Sequence, residues 1–563
     1  MGAEMFEAAR RVIIASLPKD LSANEFKRRL YERIYGEPFN DLFGEFRANP
    51  SPFAASDLMG VAVVLGREQD ARELAEYVVA QPITGQTAQS QAHAILGDVP
   101  VVAETDERKC IRTAKQRVTK FPRDAFAWID QARLYTILGQ YDKARRAVLV
   151  ALHLAPTDRI VVRCAIRFFA HHNDWDEALY YADKAYRANS DPFILGPLVS
   201  IGTHLDKLPI RLRPTANTAL RAPDSFLYSE VLAAIGTFEL LNGADKRSRK
   251  FFKRAWQDPA KAVVSQSQWV LREHLPNLVS EQDIDFSQSA EAMSWLRFAV
   301  LDFKGAVFRG HEWVLEEPYS RSAHVHTSNT ATLIDDYGTA EAAAERGLRA
   351  NPGDSILMNN LAFAQLRNGQ AAVAAITFEP LRPSLDDPKK IAEMATYGLL
   401  LMSQGNIAEG NKCYEEAIRR ANQSGDGRTA LRAALNLLIS SVDVCRSIDP
   451  NLLKQTATRL RDTTDPGCLG TAMSLSRRLA NAWFADVAGM EKPAQEFTSA
   501  VKEARVKLRQ SIFAESVQHA TKGSSASDPE AETNVSANQT STSKENVEAP
   551  EHRKASEVHV DRS

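Results

Sequence analysis

Apolar residues recur along most of the chain with helical spacing, and this pattern repeats every 34 residues. Counted from Ala125, an aromatic residue stands at position 4, small residues at 8, 20 and 27, a glycine at 15 and a proline at 32. A second block with many of the same markers begins at Arg159. Apolar residues three and four apart share one face of a helix. Each block therefore predicts two helices of about 14 residues joined by a tight turn.

Each marker has a physical reason. Small residues at positions 8 and 20 let the two helices of a hairpin approach closely, and positions 24 and 27 meet the first helix of the next block. A glycine at position 15 ends the first helix in a left-handed conformation that a side chain disfavours. A proline at position 32 ends the second helix. The pattern therefore predicts stacked antiparallel hairpins.

Seven such blocks can be read, and they do not tile without gaps. Beyond the first two, the blocks begin at Ser229, Ser287, Arg321, Ser355 and Ile391. Prolines at 209, 214 and 223 interrupt the pattern, and residues 261–286 add helical material outside the period. Helical spacing also predicts a helix over Leu21–Tyr35, a shortened hairpin over Leu58–Val79, and a helix over Asp106–Lys120.

This spacing closely resembles the tetratricopeptide repeat over about residues 125–425. The resemblance implies an all-α fold, a right-handed superhelical solenoid of helix hairpins, and a protein-binding scaffold or adaptor. We expect four regions: degenerate hairpins at 1–120, the repeat array at 121–425 (irregular at 193–228 and 261–286), a helical cap at 426–519, and a disordered tail at 520–563. Solenoids need end caps to stay soluble, which gives the expected cap its role.

Composition narrows the class of protein. The 69 Lys+Arg and 71 Asp+Glu residues give a formal net charge of -2, which argues against a chain that coats nucleic acid along its whole length. No apolar run approaches the ~20 residues needed to cross a bilayer, and the start of the chain does not resemble a secretory signal. The expected location is cytoplasmic, without membrane contact. Thr521–Ser563 has 5 basic and 8 acidic residues and no aromatic residue, which favours disorder.

Catalytic and metal-binding motifs are missing from the sequence. We find no phosphate-binding loop, dinucleotide fingerprint, nucleophile elbow or His-Glu-x-x-His motif, so neither an enzyme nor a cofactor is expected. An enzyme within 1–120 or 427–515 remains a third hypothesis. The five cysteines form no C-x-x-C pair and are expected to be small buried residues. His171 with His172, and His324 with His326, are too close in sequence to share a helical face, so no metal site is expected.

The resemblance implies that the first helix of each hairpin lines an inner groove through positions 2, 5, 9, 12 and 13. Arg133, Arg163 and Arg167 would then face one groove. Because arginine binds carboxylates with two parallel hydrogen bonds, an acidic or extended peptide segment is the expected ligand. The alternative is a solvated groove whose arginines pair with nearby acids.

Two further inner positions bear on the ligand. Asn329 at position 9 and Asn360 at position 6 match part of a carboxylate clamp known in the resembled family, but Val325, Ala392 and Thr396 replace its basic members. We therefore expect no such clamp, and expect Asn360 to bond between helices. The later groove becomes apolar, and it either binds a partner or is covered by the superhelix or the cap. Its residues are Phe363, Leu366, Leu399 and Met402.

One basic cluster lies on a predicted outward-facing second helix. It consists of Lys246, Arg247, Arg249, Lys250, Lys253 and Arg254. One hypothesis is a patch for nucleic acid or an acidic partner. The other is a solvated helix face above buried Phe252 and Ala255, which the neutral overall charge favours. The main functional hypothesis is thus a protein-binding adaptor, and the alternative is a regulator that binds nucleic acid through residues 246–254.

Overall fold

The structure is a computed structural model of the chain. It describes residues 38–65, 67–81, 92, 95–96, 107–208, 212–222, 225–274, 285–445, 447–480 and 490–523. The helix expected over Leu21–Tyr35 and nearly all of the expected tail lie outside these residues.

Within the described ranges every long regular element is an α-helix and no strand occurs. In chain order the helices are 38–48, Pro52–Val64, Glu68–Ala80, Glu107–Lys120, Ala125–Ile137, Tyr141–Leu154, Arg159–His171, Trp175–Asn189, Pro192–His204, Leu212–Arg221, Ser225–Leu241, Asp245–Ala255, Lys261–Glu273, Ala290–Ala299, Phe303–Glu316, Arg321–Thr332, Tyr337–Ala350, Ser355–Arg367, Ala371–Phe378, Ile391–Ser403, Ile407–Gln423, Gly427–Ser440, Pro450–Arg461, Pro466–Leu479 and Glu491–Gly523. Consecutive helices pair as hairpins, which is the tetratricopeptide-type arrangement that the sequence predicted.

The turn at position 15 is left-handed in all seven blocks. Glycine supplies the positive φ in four of them, and asparagine, leucine and aspartate adopt it in the other three. The seven residues are Gly139, Asn173, Gly243, Leu301, Asp335, Gly369 and Gly405, with φ between 61° and 90°. A left-handed residue with a side chain is uncommon and costs about 1 kcal/mol. This shared backbone feature confirms the predicted turn between the two helices of each of the seven blocks.

Close helix approach at positions 8 and 20 is also confirmed. A Cβ atom added to Gly398 at position 8 would lie 2.8 Å from the carbonyl oxygen of Gly410 at position 20. In two other blocks a serine hydroxyl spans the same pair of positions. Ser248 donates to the Gly236 carbonyl at 2.9 Å, and Ser294 donates to the Ala306 carbonyl at 2.8 Å. Small residues at these positions therefore determine the hairpin spacing.

The chain divides into two compact units, Met1–Ala165 and Ile166–Ser563, with the boundary inside helix Arg159–His171. The first unit contains the expected hairpin near residue 58, formed by Pro52–Val64 and Glu68–Ala80. Its aromatic core is built on Phe39, Phe43 and Phe46.

The second unit contains most of the repeats and includes one helix outside the 34-residue period between residues 209 and 223. The prolines at 209, 214 and 223 lie in the stretch that was expected to be irregular, and a helix forms there at Leu212–Arg221. Pro214 is the third residue of this helix, so it lies in the first turn, where a proline removes no intrahelical hydrogen bond.

The C-terminal helices form a core of their own within the second unit, including buried Leu435, Leu453, Leu475 and Phe497. They also reach repeats that lie well before the end of the array. A Cβ added to Gly470 would lie 2.9 Å from the Phe303 ring. The expected cap therefore contacts a repeat that begins more than 150 residues earlier in the sequence than its own helix Pro466–Leu479.

Candidate functional site

Helix Arg159–His171 places Arg167 against an acidic residue that lies far along the chain. Arg167 Nη2 lies 2.5 Å from Glu317 Oε1, although 150 residues separate them in sequence. The Arg167 side chain is still 57% exposed. On the same helix, His171 lies with its ring centroid 5.0 Å from that of Tyr319. Arg167 is therefore paired with an acid, as the alternative interpretation of the groove anticipated, and it remains accessible.

Glu291 adds a second carboxyl group to this region. It is the fifth residue of the block that begins at Ser287, and therefore lies at an expected inner position. Burial, together with the nearby charge of Glu317, raises the pKa of Glu291 to about 7. A hydrogen bond with Ser265 and the charges of Arg272 and Arg167 oppose this rise. Near neutral pH the carboxyl is therefore divided between its protonated and ionised forms.

Trp295, one helical turn after Glu291, carries the aromatic surface of the region. The guanidinium of Arg272 lies 4.6 Å from its ring centroid, in cation–π range. The His326 ring centroid lies 4.0 Å from the same indole. Trp313 Nε1 donates to Glu317 Oε2 at 3.2 Å. We call this region the Trp295 surface and define it by Arg167, Arg272, Glu291, Trp295 and Glu317.

His326 supports the Trp295 surface from below. Its Nε2 lies 2.9 Å from the Ser294 hydroxyl, which donates its single hydrogen to the Ala306 carbonyl. The imidazole must therefore carry its proton on Nε2 and donate to Ser294. Burial lowers the pKa of His326 to about 3, so the ring is neutral at physiological pH. This imidazole is a fixed structural group, and the described residues contain no cluster of three metal-ligating side chains.

The other two predicted groove arginines lie in the first unit and are partly exposed. Arg133 lies near Asp130. Burial raises the pKa of Asp130, and the charges of Arg117 and Arg133 oppose this rise without cancelling it. Asp130 also accepts a hydrogen bond from Arg117 at 3.0 Å. Arg163 has interactions of its own within the chain. A role for Arg133 and Arg163 in one binding groove stays a prediction.

Asn329 and Asn360 behave differently, although both lie on first helices of adjacent hairpins. Asn360 donates to the Ser328 hydroxyl at 3.1 Å, which confirms its predicted bond between helices. Asn329 is partly exposed, and its side chain forms no hydrogen bond with the residues that the structure describes. Its carboxamide therefore remains available to a ligand.

Of the two alternatives for the apolar stripe, the structure shows the covered one, and the expectation that Leu399 lines a binding groove is wrong. Leu366, Leu399 and Met402 are buried, with Leu399 only 1% exposed. They form one core with Ala433 and Leu437 of helix Gly427–Ser440. Phe363 packs against this core and is half-buried. The next hairpin covers the stripe, because it is the adjacent apolar face in the stack, so Leu399 cannot contact a partner.

The basic cluster faces outward, as expected. Helix Asp245–Ala255 buries Ser248, Phe251, Phe252 and Ala255. The cationic residues occupy its other faces, and Trp256 is buried. Arg247 pairs with Glu239 at 3.2 Å, and Arg254 donates to the Ala222 carbonyl at 2.8 Å.

The cysteines and the long helices add no further site. All five cysteines are free, and only Cys468 is buried, so the other four are more exposed than expected. None of the described helices is long and apolar enough to cross a bilayer.

Comparisons with known proteins give structural likeness only. No family model and no curated protein sequence matches the chain. Among solved structures, it is similar to yeast Tom70 at 13% identity and TM-score 0.25, with 83% of this chain and 99% of that chain covered. It is similar to the Naa15/Naa10 structure bound to HypK-THB at 14% identity and TM-score 0.22, with 93% of this chain and 94% of that chain covered. It is similar to the APC/C hetero-tetramer Cut9-Hcn1 at 13% identity and TM-score 0.30, with 88% of this chain and 98% of that chain covered. Because all three TM-scores are below 0.5, the fold assignment rests on this chain's own hairpins.

Sequence reasoning missed most of the Trp295 surface. Glu291 and Trp295 stand at positions 5 and 9 of their block, so the rule that selected Arg163 and Arg167 could have found them. Arg272 lies on helix Lys261–Glu273, outside the period, and Glu317 lies just after a second helix. Neither carried a sequence signal, because their relevance depends on contacts with residues remote in the chain.

Proposed function

We propose that the protein is a cytoplasmic, non-enzymatic scaffold that binds a partner protein at the Trp295 surface. The observation that carries the proposal is the pairing of Arg167 with Glu317 close to Glu291, one helical turn before Trp295. It gathers arginine, tryptophan and carboxyl groups from separate helices onto one face. Protein interfaces are enriched in tryptophan, tyrosine and arginine relative to the rest of the surface.

An acidic or extended segment of the partner fits this surface. A carboxylate from the partner can replace Glu317 on the exposed fork of Arg167. Because Glu291 has a pKa near 7, it can take up a proton when a second carboxylate approaches. Partner capture would then be stronger at pH 6 than at pH 8, since proton uptake removes a repulsive charge.

Comparative affinity purification from native lysate tests the proposal. We would compare the unsubstituted protein with Arg167→Glu/Arg272→Glu, each with and without nuclease, and identify the bound proteins by mass spectrometry. The control is Lys184→Glu/Arg187→Glu, which makes the same charge change on the second helix of the hairpin that carries Arg167, where both side chains are exposed.

The expected result is a stoichiometric protein that survives nuclease, is retained by the control and is lost from the Arg167/Arg272 variant. A third variant, Arg167→Glu/Glu317→Arg, keeps an internal ion pair while reversing its direction. It should fold normally and still lose the partner. Equal capture by all variants would overturn the assignment, and loss on nuclease treatment would favour the nucleic-acid alternative.

A further inference from the structure

The helices Leu212–Arg221 and Asp245–Ala255 enclose an open groove of about 450 Å³ on the second unit. Four cationic side chains line it: Arg221 from the first helix and Lys250, Lys253 and Arg254 from the second. The sequence had singled out only the second helix. Arg221 comes from a helix within the stretch where prolines interrupt the 34-residue pattern.

The cationic side chains of this groove have no acidic partner among the residues that the structure describes. Among the described residues, no carboxylate lies within 4 Å of the side-chain nitrogens of Arg221, Lys250 or Lys253. Arg254 is held in place by the Ala222 carbonyl and by Gln257, both uncharged. Like charges gathered around a concave surface create a positive potential that attracts anions.

The other lining groups indicate which anion fits. Asn217 and Gln257 contribute carboxamides, which can pair with a peptide backbone, and Leu220 contributes an aliphatic contact. None of the described residues that line the groove is aromatic, and Trp256 beside it is buried. Proteins that bind single-stranded nucleic acid stack bases on exposed aromatic rings, so this groove lacks their main recognition element.

The length of the basic face agrees with a short ligand. Lys246, Lys250 and Lys253 follow one another on one side of the helix, over about 10 Å at 1.5 Å per residue. Side chains two apart on an extended peptide are about 6.6 Å apart, and residues three or four apart on a helix are about 5–6 Å apart. Two alternate acidic side chains can therefore each meet a cation.

We propose that this groove binds an extended acidic peptide segment of another protein, with acidic residues at alternate positions. Arg221 and Lys253 would hold one carboxylate and Lys250 the next, while Asn217 and Gln257 bond the peptide backbone. This site is separate from the Trp295 surface. The proposal for it does not depend on whether the Trp295 surface binds a partner.

Fluorescence anisotropy with the full-length protein tests the site. The probe is a labelled seven-residue peptide with three alternating glutamates, compared with its glutamine counterpart and with a single-stranded RNA of eight uridines. The variant is Lys250→Glu/Lys253→Glu. The matched control, Lys454→Glu/Lys502→Glu, makes the same charge change at two exposed lysines on the C-terminal helices.

The expected result is binding of the glutamate peptide in preference to both other probes. Affinity should fall at least about tenfold, or about 1.4 kcal/mol, in Lys250→Glu/Lys253→Glu and remain unchanged in the control. Lys250→Arg/Lys253→Arg should retain binding, which separates loss of charge from misfolding. Equal affinity of both charge-reversed variants, or tighter binding of the RNA, would overturn the proposal. Partner capture through Arg167 and Arg272 is measured separately, so the two proposals can fail independently.

Discussion

Arg478 donates a hydrogen bond of 2.9 Å to Asp335, which lies 143 residues earlier in the chain. Asp335 occupies the left-handed turn of its repeat, and its carboxylate also accepts from Arg477 and Ser474 at 2.6 Å. Arg478 extends the contact to Asp443 at 2.9 Å. A turn residue therefore attaches the helix Pro466–Leu479 to the middle of the repeat array.

Replacing Asp335 with glycine should loosen this attachment. Glycine keeps the left-handed turn but removes the acceptor of four side chains, those of Tyr337, Ser474, Arg477 and Arg478. The free energy of unfolding should therefore fall by about 1.5–3 kcal/mol. Hydrogen exchange should accelerate within Pro466–Leu479. Asn173→Gly changes the same turn position in another repeat and should leave exchange in that helix unchanged. Unaltered protection in Asp335→Gly would show that apolar packing alone holds the helix.

The attachment should also weaken in acid. Burial opposes ionisation of Asp335, but hydrogen bonds from Arg477, Ser474 and Arg478 outweigh it and lower its pKa to about 2. A depressed carboxyl pKa stabilises the fold above the unfolded value of 3.8, and this stabilisation disappears as pH falls toward 2. Exchange rates within Pro466–Leu479, corrected for intrinsic pH dependence, should therefore rise over that interval in the unsubstituted protein and change less in Asp335→Gly.

Buried His326 should make stability depend on pH in a milder range. Its pKa is about 3 in the folded chain against 6.5 for the free group, so the unfolded chain takes up a proton first as pH falls below 6.5. Stability is complete above pH 6.5 and decreases by up to about 1.4 kcal/mol per pH unit below it. Urea unfolding at pH 7.5 and 5.0 measures this slope.

His326→Gln should lower the free energy of unfolding at both pH values. It should also reduce the change in that free energy between the two pH values by the amount that His326 contributes. His153→Gln changes an exposed histidine and should keep the slope of the unsubstituted protein. An identical slope in all three proteins would mean that His326 has the same pKa in the folded and unfolded chains, and would contradict a buried imidazole that stays neutral.

Helix spacing predicts a large difference between two glycine-to-alanine substitutions. A Cβ at Gly398 would meet the Gly410 carbonyl and the Tyr414 ring at 2.8 and 2.9 Å, whereas nothing lies within 4 Å of a Cβ at Gly427. Gly398→Ala should therefore destabilise by about 1–3 kcal/mol through overpacking. Gly427→Ala should be neutral or stabilising by up to about 1 kcal/mol, because alanine favours a helix. Thermal unfolding midpoints compare them directly.

The sequence was most informative where contacts are local. Positions 8, 15 and 20 each belong to a single hairpin, so Gly398, Gly405 and Gly410 follow from spacing alone. It was least informative where contacts join remote segments. Neither Arg167 with Glu317 nor Asp335 with Arg478 has a spacing rule, because the stacking of many hairpins determines which ends meet. Leu399 was misassigned for the same reason, since burial by the next hairpin depends on how the two stack.

Site-specific photo-crosslinking tests the central claim, that the first helices of the repeats bind a partner protein. A benzoylphenylalanine at Asn329, whose side chain is available, is compared with one at Ala342, which is exposed on the second helix of the same repeat. The account predicts a defined protein crosslink from position 329 in cells, lost in Arg167→Glu/Arg272→Glu, and none from 342. Crosslinks from 342 alone, or from 329 to nucleic acid, would contradict it.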